Sequence, residues 1–333
     1  MPARSFDEQL RDKILEDFDE NKGRRLIGAY EQTRSILIQE VYPNIQGQEP
    51  SLSDHGTDHV LNVQQNAIRL LSSDGAIRDE LSGIEMYCLG MCILFHDVGN
   101  VYGRENHQNK VADVFDQIRG TQNTLLHEKT LIVRATRAHT GIAQDGSPDT
   151  LKEVTESDHL EGEPVRLREL TAILRFSDEL AEGPQRTSEF MQSTGLYVKE
   201  SQIYHDYANI THIRIDRGTG RVVLTYEINI DLNQTDKLRD LLDFTFKRIG
   251  KLNQERQYAR NYSDLLLPFK STEVTFNFHC DGELLDSDLS PLKLTDIVVP
   301  GEPTKDISDI DSAYSIDKIV ENMIARCRSR EES

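Results

Sequence analysis

Apolar residues in the first half of the chain recur three and four positions apart, the spacing of amphipathic helices. The first such pattern covers residues 5–21, where Ser5 and Glu8 have the spacing of a capping box. Pro43 and the polar residues after it are expected to end the second helix. A polar, acidic loop is expected at about 143–163. Further helices are predicted at about 24–42, 53–71, 82–97, 107–118, 125–139 and 165–180.

The periodicity changes after Gly183 and Pro184. Alternating apolar residues predict two strands joined by a turn, then a long helix and a further strand, an order typical of a small α+β subdomain. The strands are expected around 213–215, 223–230 and 274–280, and the helix at about 235–262. Residues 281–312 are acidic and turn-rich and are expected to be extended, and an amphipathic helix follows from Ile316.

These patterns divide the chain into four parts. We expect N-terminal helices that pack on a helical core, an α+β subdomain, and an acidic extended segment with a C-terminal helix. Their expected boundaries are 1–52, 53–184, 185–280 and 281–333, respectively. The predicted fold class is therefore mainly α, with a smaller C-terminal α+β subdomain.

The helix predicted at 82–97 is apolar on all sides and ends in His96 and Asp97. A helix of this kind is normally buried, so it places both side chains at the floor of a cavity. Unpaired buried charge is costly, and a bound metal ion would explain the adjacent imidazole and carboxylate. The alternative is a helix C-terminus with a solvated aspartate.

Composition limits the classes of function. With 37% hydrophobic residues the chain of 333 residues can bury a sizeable core, and no apolar run approaches the roughly 18 residues of a membrane span. The N-terminus lacks a secretory hydrophobic region, so a cytoplasmic protein is expected. The net charge of -19 argues against broad nucleic-acid or anionic-membrane binding. Four cysteines without a Cys-x-x-Cys pair suggest neither a disulfide framework nor a zinc finger.

Histidines and aspartates recur at the predicted helix ends in the apolar part of the chain. This order of residues resembles the HD superfamily of metal-dependent phosphohydrolases, over about residues 53–183. Four residues match the ligands of the basic HD site, and two more histidines resemble the extra pair of two-metal members. The four are His59, His96, Asp97 and Asp178, and the extra pair is His107 and His139.

The resemblance implies an HD-type helical bundle that holds two divalent metal ions, with Asp97 bridging them. One ion would be completed by His59, His96 and Asp178, and the other by His107 and His139. Mixed imidazole and carboxylate ligands suit manganese, iron or cobalt, with zinc and magnesium as further options. Two such ions can hold a hydroxide between them and clamp a phosphoryl group, which places Asp97 at the catalytic centre.

Five cations near these positions are candidates for the remaining roles. Lys110 and Arg104 could supply a proton or a positive charge to the leaving oxygen. Three arginines stand near ligand positions and could bind other phosphates in bidentate fashion. These are Arg134, Arg137 and Arg175. Each of the five could instead be an ordinary solvated charge.

The function implied by the resemblance is hydrolysis of a phosphoester or phosphoanhydride bond in a small anionic nucleotide. A (deoxy)nucleoside triphosphate is favoured, because HD proteins with a C-terminal α+β portion resemble triphosphohydrolases in layout. The loop at 98–106 lacks the proline found after the His-Asp pair of those enzymes, which leaves a dinucleotide or cyclic-dinucleotide phosphodiesterase open. An HD-type di-iron oxygenase or a ligand-sensing HD module is the alternative of another class. The sequence also leaves open whether the chain forms a homo-oligomer.

Overall fold

The computed structural model describes residues 4–48, 56–105, 107–188, 199–296 and 307–331. These residues form two compact units. The first contains the described residues up to Ala181 together with Tyr258–Pro268, and the second contains those of Glu182–Gln257 and Phe269–Ser333. No helix within the described ranges has both the length and the apolar character needed to cross a membrane.

The first unit is a bundle of α-helices with one short β-hairpin. Its strands β1 (Asp158–Leu160) and β2 (Glu163–Val165) are antiparallel and lie at the end of the expected acidic loop. The helices are α1 (Phe6–Asp17), α2 (Glu20–Ile36), α3 (Tyr42–Gln48), α4 (Thr57–Leu71), α5 (Gly83–Phe95), α6 (Val111–Arg119), α7 (Leu126–Ala138) and α8 (Leu167–Glu179).

The start of α1 confirms the capping box. The Ser5 hydroxyl accepts a hydrogen bond from the Glu8 backbone N–H at 3.2 Å, and the Glu8 carboxylate accepts one from the Ser5 backbone N–H at 2.8 Å. The expected end of the second helix at Pro43 is wrong. A π-helical turn, Leu37–Val41, follows α2, and Pro43 is the second residue of α3. The backbone at Leu37 and Tyr42 is helical, so the chain continues from α2 into α3, and Pro43 follows a π-helical turn in which the regular hydrogen-bond pattern is already interrupted.

Helix α5 is buried along its whole length, as its apolar sequence predicts. At Gly90 an added Cβ would lie 2.9 Å from both Leu10 Cδ1 and Tyr30 Cε2. The side chains of α1 and α2 therefore pack directly on the backbone of α5. Gly90 permits this close approach at the centre of the first unit.

The second unit contains a mixed sheet with helices. Its elements are α9 (Gln202–Ile210), β3 (Thr211–Asp216), β4 (Arg221–Asn229), α10 (Thr235–Arg260), β5 (Ser271–Cys280), β6 (Glu283–Leu284), β7 (Leu292–Thr295), α11 (Ile307–Ile310) and α12 (Ile316–Glu331). Strands β3 and β4 are antiparallel, β4 and β5 are parallel, and β6 and β7 both pair antiparallel with β5. Helix α10 connects the two parallel strands, which confirms the predicted strand–strand–helix–strand order.

Two features of the second unit differ from the sequence prediction. Strands β6 and β7 lie in the segment that was expected to be extended, where they complete the edge of the sheet beside β5. A disulfide joins Cys280 at the end of β5 to Cys327 in α12, with Cα atoms 5.8 Å apart. The two cysteines are 47 residues apart, so no short cysteine spacing in the sequence predicts this disulfide.

An ion pair between the buried Glu85 and the partly exposed Arg166 links the starts of α5 and α8. The Glu85 carboxylate accepts hydrogen bonds from Arg166 Nε at 2.7 Å and from the Ser82 backbone N–H at 3.1 Å. Burial alone would raise the pKa of Glu85, but these hydrogen bonds outweigh it and hold the pKa below its ordinary value. The ionised carboxylate thus anchors the first turn of the helix that leads to His96 and Asp97.

We expect Glu85→Gln to lower the free energy of unfolding by about 1–3 kcal/mol at neutral pH, because it weakens a charged hydrogen bond. The carboxylate stabilises the protein above the ordinary glutamate pKa of 4.5. This contribution is lost as pH falls through the lower pKa of the folded state. Denaturant unfolding measured against pH should therefore show the variant and the wild type converging in acid. The exposed Glu321→Gln is the control, and a difference that persists in acid would contradict the assignment.

Candidate metal centre

The first unit brings the six predicted ligands to one place. His59 lies in the first turn of α4, and His96 and Asp97 directly follow α5. His107 begins a 3₁₀ turn, His139 directly follows α7, and Asp178 lies in the last turn of α8. Three of the imidazoles are buried, those of His59, His96 and His139. Every ligand position is therefore at or near a helix end, as the sequence predicts.

The Asp97 carboxylate lies between two pairs of histidines. Its Oδ1 is 3.2 Å from His107 Nε2 and 3.7 Å from His139 Nε2. Its Oδ2 is 3.5 Å from His96 Nε2 and 3.8 Å from His59 Nε2. The donor atoms of His59, His96 and Asp97 lie within 4.8 Å of one another, and so do those of Asp97, His107 and His139. Asp97 belongs to both sets. This is the geometry needed for one aspartate to contact two cations.

Asp178 joins the pair formed by His59 and His96. Its Oδ1 is 3.1 Å from His59 Nε2 and 3.8 Å from His96 Nε2. The two Nε2 atoms are themselves 3.2 Å apart. Two imidazole lone pairs at this distance repel unless a proton or a cation lies between them. The donor set of this half therefore fits a metal ion.

Backbone carbonyls fix the tautomers of three histidines. His96 Nδ1 donates to the Ile93 carbonyl at 2.7 Å, His107 Nδ1 donates to Arg104 at 3.2 Å, and His139 Nδ1 donates to Thr136. A carbonyl can only accept, so the proton resides on Nδ1 and the Nε2 lone pair points to Asp97. The second hydrogen bond of a metal-bound histidine usually has this form.

The pKa values of His96 and Asp178 favour the ionisation states that a metal requires, whereas the pKa of His139 shifts the other way. Burial lowers the pKa of His96 to about 4, despite the attraction of Asp97 and Asp178. Burial alone would raise the pKa of Asp178, but the hydrogen bond from His59 and the nearby His96 hold it far below its ordinary value. For His139 burial acts downward, and the hydrogen bond with Asp97 raises the net pKa. Neutral His96 and ionised Asp178 are the donor forms that bind a cation.

Gly99 positions His107, and sequence reasoning missed it. A Cβ added at Gly99 would overlap the His107 carbonyl oxygen, so the backbone of the His107 turn lies directly against the turn after Asp97. Only glycine permits this approach. The sole sequence signal is a glycine two residues after Asp97.

Arg175 lies behind His139 and holds the carbonyl that precedes it. Its guanidinium donates to the Ala138 carbonyl at 3.3 Å and to Thr150 Oγ1 at 3.0 Å, and Thr150 Oγ1 donates to the same carbonyl at 2.6 Å. The guanidinium also stacks 4.9 Å above the Tyr258 ring. These contacts favour positioning of His139 over direct contact with a substrate. Thr150 and Tyr258 carry no sequence signal for this role.

The other predicted cations lie outside the cluster. Lys110 is half exposed, with its ammonium 3.9 Å from Asp113. Arg104 is exposed and contributes its backbone carbonyl to His107. Arg134 donates to Thr155 at 3.2 Å, and Arg137 is exposed on α7. Their catalytic and substrate-binding roles stay predictions.

Comparison with known proteins decides the family. A model of the HD-CE family, an HD-domain family, matches residues 49–251, more than half of the chain. This chain belongs to the HD-CE family. Searches of curated proteins and of solved structures give no significant match. The resemblance to HD proteins is confirmed, and HD-CE membership with the buried cluster supports a metal-dependent HD hydrolase.

We expect Gly99→Ala to lower the amount of bound metal, because the added methyl displaces the backbone of His107, a predicted ligand. Metal analysis by mass spectrometry after dialysis against manganese should show this loss, with the melting temperature as a check on folding. Gly28→Ala is the control, since an added Cβ there meets no atom within 4 Å. Full metal content in Gly99→Ala would contradict the argument.

Arg175→Met should lower metal affinity by about 10–100-fold, the usual loss when a group that orients a ligand is removed. Competition with a coloured chelator measures this affinity directly. Arg175→Lys keeps a donor near Ala138 and should recover part of the loss. If Arg175→Met binds metal as tightly as the wild type, Arg175 does not position His139.

Proposed function

We propose that this HD-CE protein hydrolyses a phosphoester or phosphoanhydride bond in a nucleotide, using two divalent metal ions. The observation that carries the proposal is the Asp97 carboxylate, whose two oxygens face two separate pairs of histidines. His59, His96 and Asp178 would hold one ion. The half-buried His107 and the buried His139 would hold the second. Manganese, iron or cobalt suits these mixed nitrogen and oxygen ligands.

When bound, such ions polarise a phosphoryl oxygen and lower the pKa of coordinated water toward neutrality. The protein's own part is to keep the donors aligned. The Nδ1 hydrogen bonds of His96, His107 and His139 prevent their rings from turning away. A separate general base is then unnecessary, while the leaving oxygen still needs a proton.

Lys110 and Arg104 are the proposed groups at the leaving oxygen. Lys110 follows His107 by three residues, and among the described residues its ammonium forms an ion pair with Asp113 alone, at 3.9 Å. Its half-exposed ammonium can therefore reorient toward a bound substrate. Arg104 is exposed beside the same turn and could supply positive charge. Both belong to the side of the cluster that carries His107.

For the substrate we propose a small anionic nucleotide, with a (deoxy)nucleoside triphosphate favoured. The support is the two-metal geometry together with Arg134 and Arg137, which lie on α7 shortly before His139. A dinucleotide or a cyclic dinucleotide is the alternative, and its products would differ. Triphosphate, pyrophosphate or orthophosphate release marks a triphosphate substrate, whereas a linear dinucleotide marks a phosphodiesterase.

The metal-depleted protein should be inactive and should regain phosphohydrolase activity with manganese, cobalt or iron. His96→Ala and Asp178→Ala should each lower the rate by more than about 100-fold, since even outer partners of metal ligands are worth 10–100-fold. The assay is a nucleotide panel under anaerobic conditions with products separated by chromatography. His212→Ala, an exposed histidine of β3, is the control.

Two results would count against this function. Turnover that requires oxygen, with no phosphate released, would indicate the di-iron oxygenase chemistry of some HD proteins. Equal loss in His96→Ala, Asp178→Ala and His212→Ala would show a general folding defect.

A further inference from the structure

A groove runs along the outer face of α7, within the first unit. Its volume is about 810 Å³, inside the range of roughly 300–1,000 Å³ for sites that bind small molecules. Its walls come from α6, α7, the turn at 140–144 and the segment around Thr150 and Glu153.

One end of the groove is formed by the two turns that carry the second histidine pair. Gln108 follows His107, and Gly141 lies two residues after His139, and both residues line the groove. A Cβ added at Gly141 would lie 3.2 Å from Gln108 Nε2, so these turns are in contact. A ligand in the groove therefore has one end beside His107 and His139.

Cations follow the groove away from this end. Arg137, Arg134 and Lys129 line it and precede His139 by two, five and ten residues. At about 1.5 Å per helical residue they form a row that recedes from the cluster. In a chain of net charge -19, such a row is a local positive field. Glu153 lines the opposite wall and accepts a hydrogen bond from the Gln144 backbone.

The three cations differ in how far they are already neutralised. Lys129 donates to Asp116 at 2.6 Å, and Arg134 lies 3.6 Å from Asp158. Arg137 is exposed, and none of the ion pairs among the described residues involves it. Arg137 is therefore the cation best able to bind an external anion, and it is also nearest to His139.

The rest of the groove can accept an uncharged group. Thr130 and Gln144 offer polar atoms, and Leu126, Val133 and Ile142 offer apolar surface. Ile142 is 72% and Leu126 is 51% exposed, so both offer accessible apolar surface to a flat ring. A groove with cations near the cluster and apolar surface as well matches a ligand that is both anionic and aromatic.

We propose that this groove binds a nucleoside oligophosphate, with the reacting phosphoryl group at the His107 and His139 end and the next phosphoryl group on Arg137. The proposal rests on the function proposed above and specifies its substrate class: more than one phosphoryl group in a chain. Arg134 contacts the phosphate farther along, and the nucleoside lies toward Val133 and Leu126.

Titration calorimetry with ATP and with inorganic tripolyphosphate tests the groove without relying on turnover. The metal-depleted protein is used, because it is expected to be inactive, and any hydrolysis during the titration is checked by chromatography. Arg137→Ala should weaken the binding of both probes by about tenfold or more, the usual loss of a charge-assisted contact. Thr130→Trp, which fills the groove from an exposed position, should weaken ATP more than tripolyphosphate.

Arg69→Ala is the matched control. Arg69 is also an exposed arginine in the last turn of a helix of the first unit, so its removal costs the same helix-dipole interaction. It lies ten residues after His59 and does not line the groove. Wild-type affinity is expected for this variant.

The outcomes separate the groove from the reaction. One outcome is that ATP binding depends on Arg137 while the wild type releases no phosphate with any of the metals. This result would support the groove and overturn the proposed reaction. Phosphate release with unchanged ATP and tripolyphosphate binding in both Arg137→Ala and Thr130→Trp would overturn the groove and leave the reaction standing. AMP bound as tightly as ATP would overturn the oligophosphate assignment.

Discussion

The structure of the first unit depends on one carboxylate held among imidazoles. Asp97 is 7% exposed, and it follows a helix whose every residue is buried. A carboxylate so placed would be strongly destabilising without partners. Four imidazole Nε2 atoms lie 3.2–3.8 Å from its oxygens, and cations held between these atoms and the carboxylate would provide the partners. The fold therefore brings three other segments, those of His59, His107 and His139, to the segment that carries His96 and Asp97.

The ends of helices supply backbone carbonyls that orient the histidines around Asp97. The last carbonyls of a helix lack partners within the helix. At the ends of α5 and α7, histidine Nδ1 atoms satisfy such carbonyls, at Ile93 and Thr136. The same hydrogen bond that completes the helix end also turns Nε2 toward Asp97. One hydrogen bond therefore completes the helix end and orients the histidine ring. This explains why His96 and His139 directly follow α5 and α7.

Much of this arrangement could be predicted from the sequence. The apolar run before His96 indicated a buried helix, and the helical spacing around His59, His139 and Asp178 placed each near a helix end. The contacts that support the ligands could not be predicted. The overlap of Gly99 with the His107 backbone and the hydrogen bonds of Arg175 to Ala138 and Thr150 join residues that only the folded chain brings together.

The second unit could also be predicted only in part from the sequence. Alternating residues predicted its central strands, because one face of each is buried. Helix α9 was not predicted from the sequence. The bond between Cys280 and Cys327 depends on where α12 packs against the end of β5, which no local pattern encodes.

The exposure of the ligands is uneven, and this bears on how a substrate could reach Asp97. The side chains of His59, His96 and His139 are at most 2% exposed, whereas His107 is 15% and Asp178 is 27% exposed. Solvent therefore reaches the cluster at two places, at His107 and at Asp178. The groove begins at the His107 edge, where Gln108 meets Gly141, and its cations continue outward from there. A phosphoryl group entering from that edge would meet the His107 and His139 half first, whereas solvent reaches the other half at Asp178, beside the buried His59 and His96. The two halves thus differ in environment although they share Asp97.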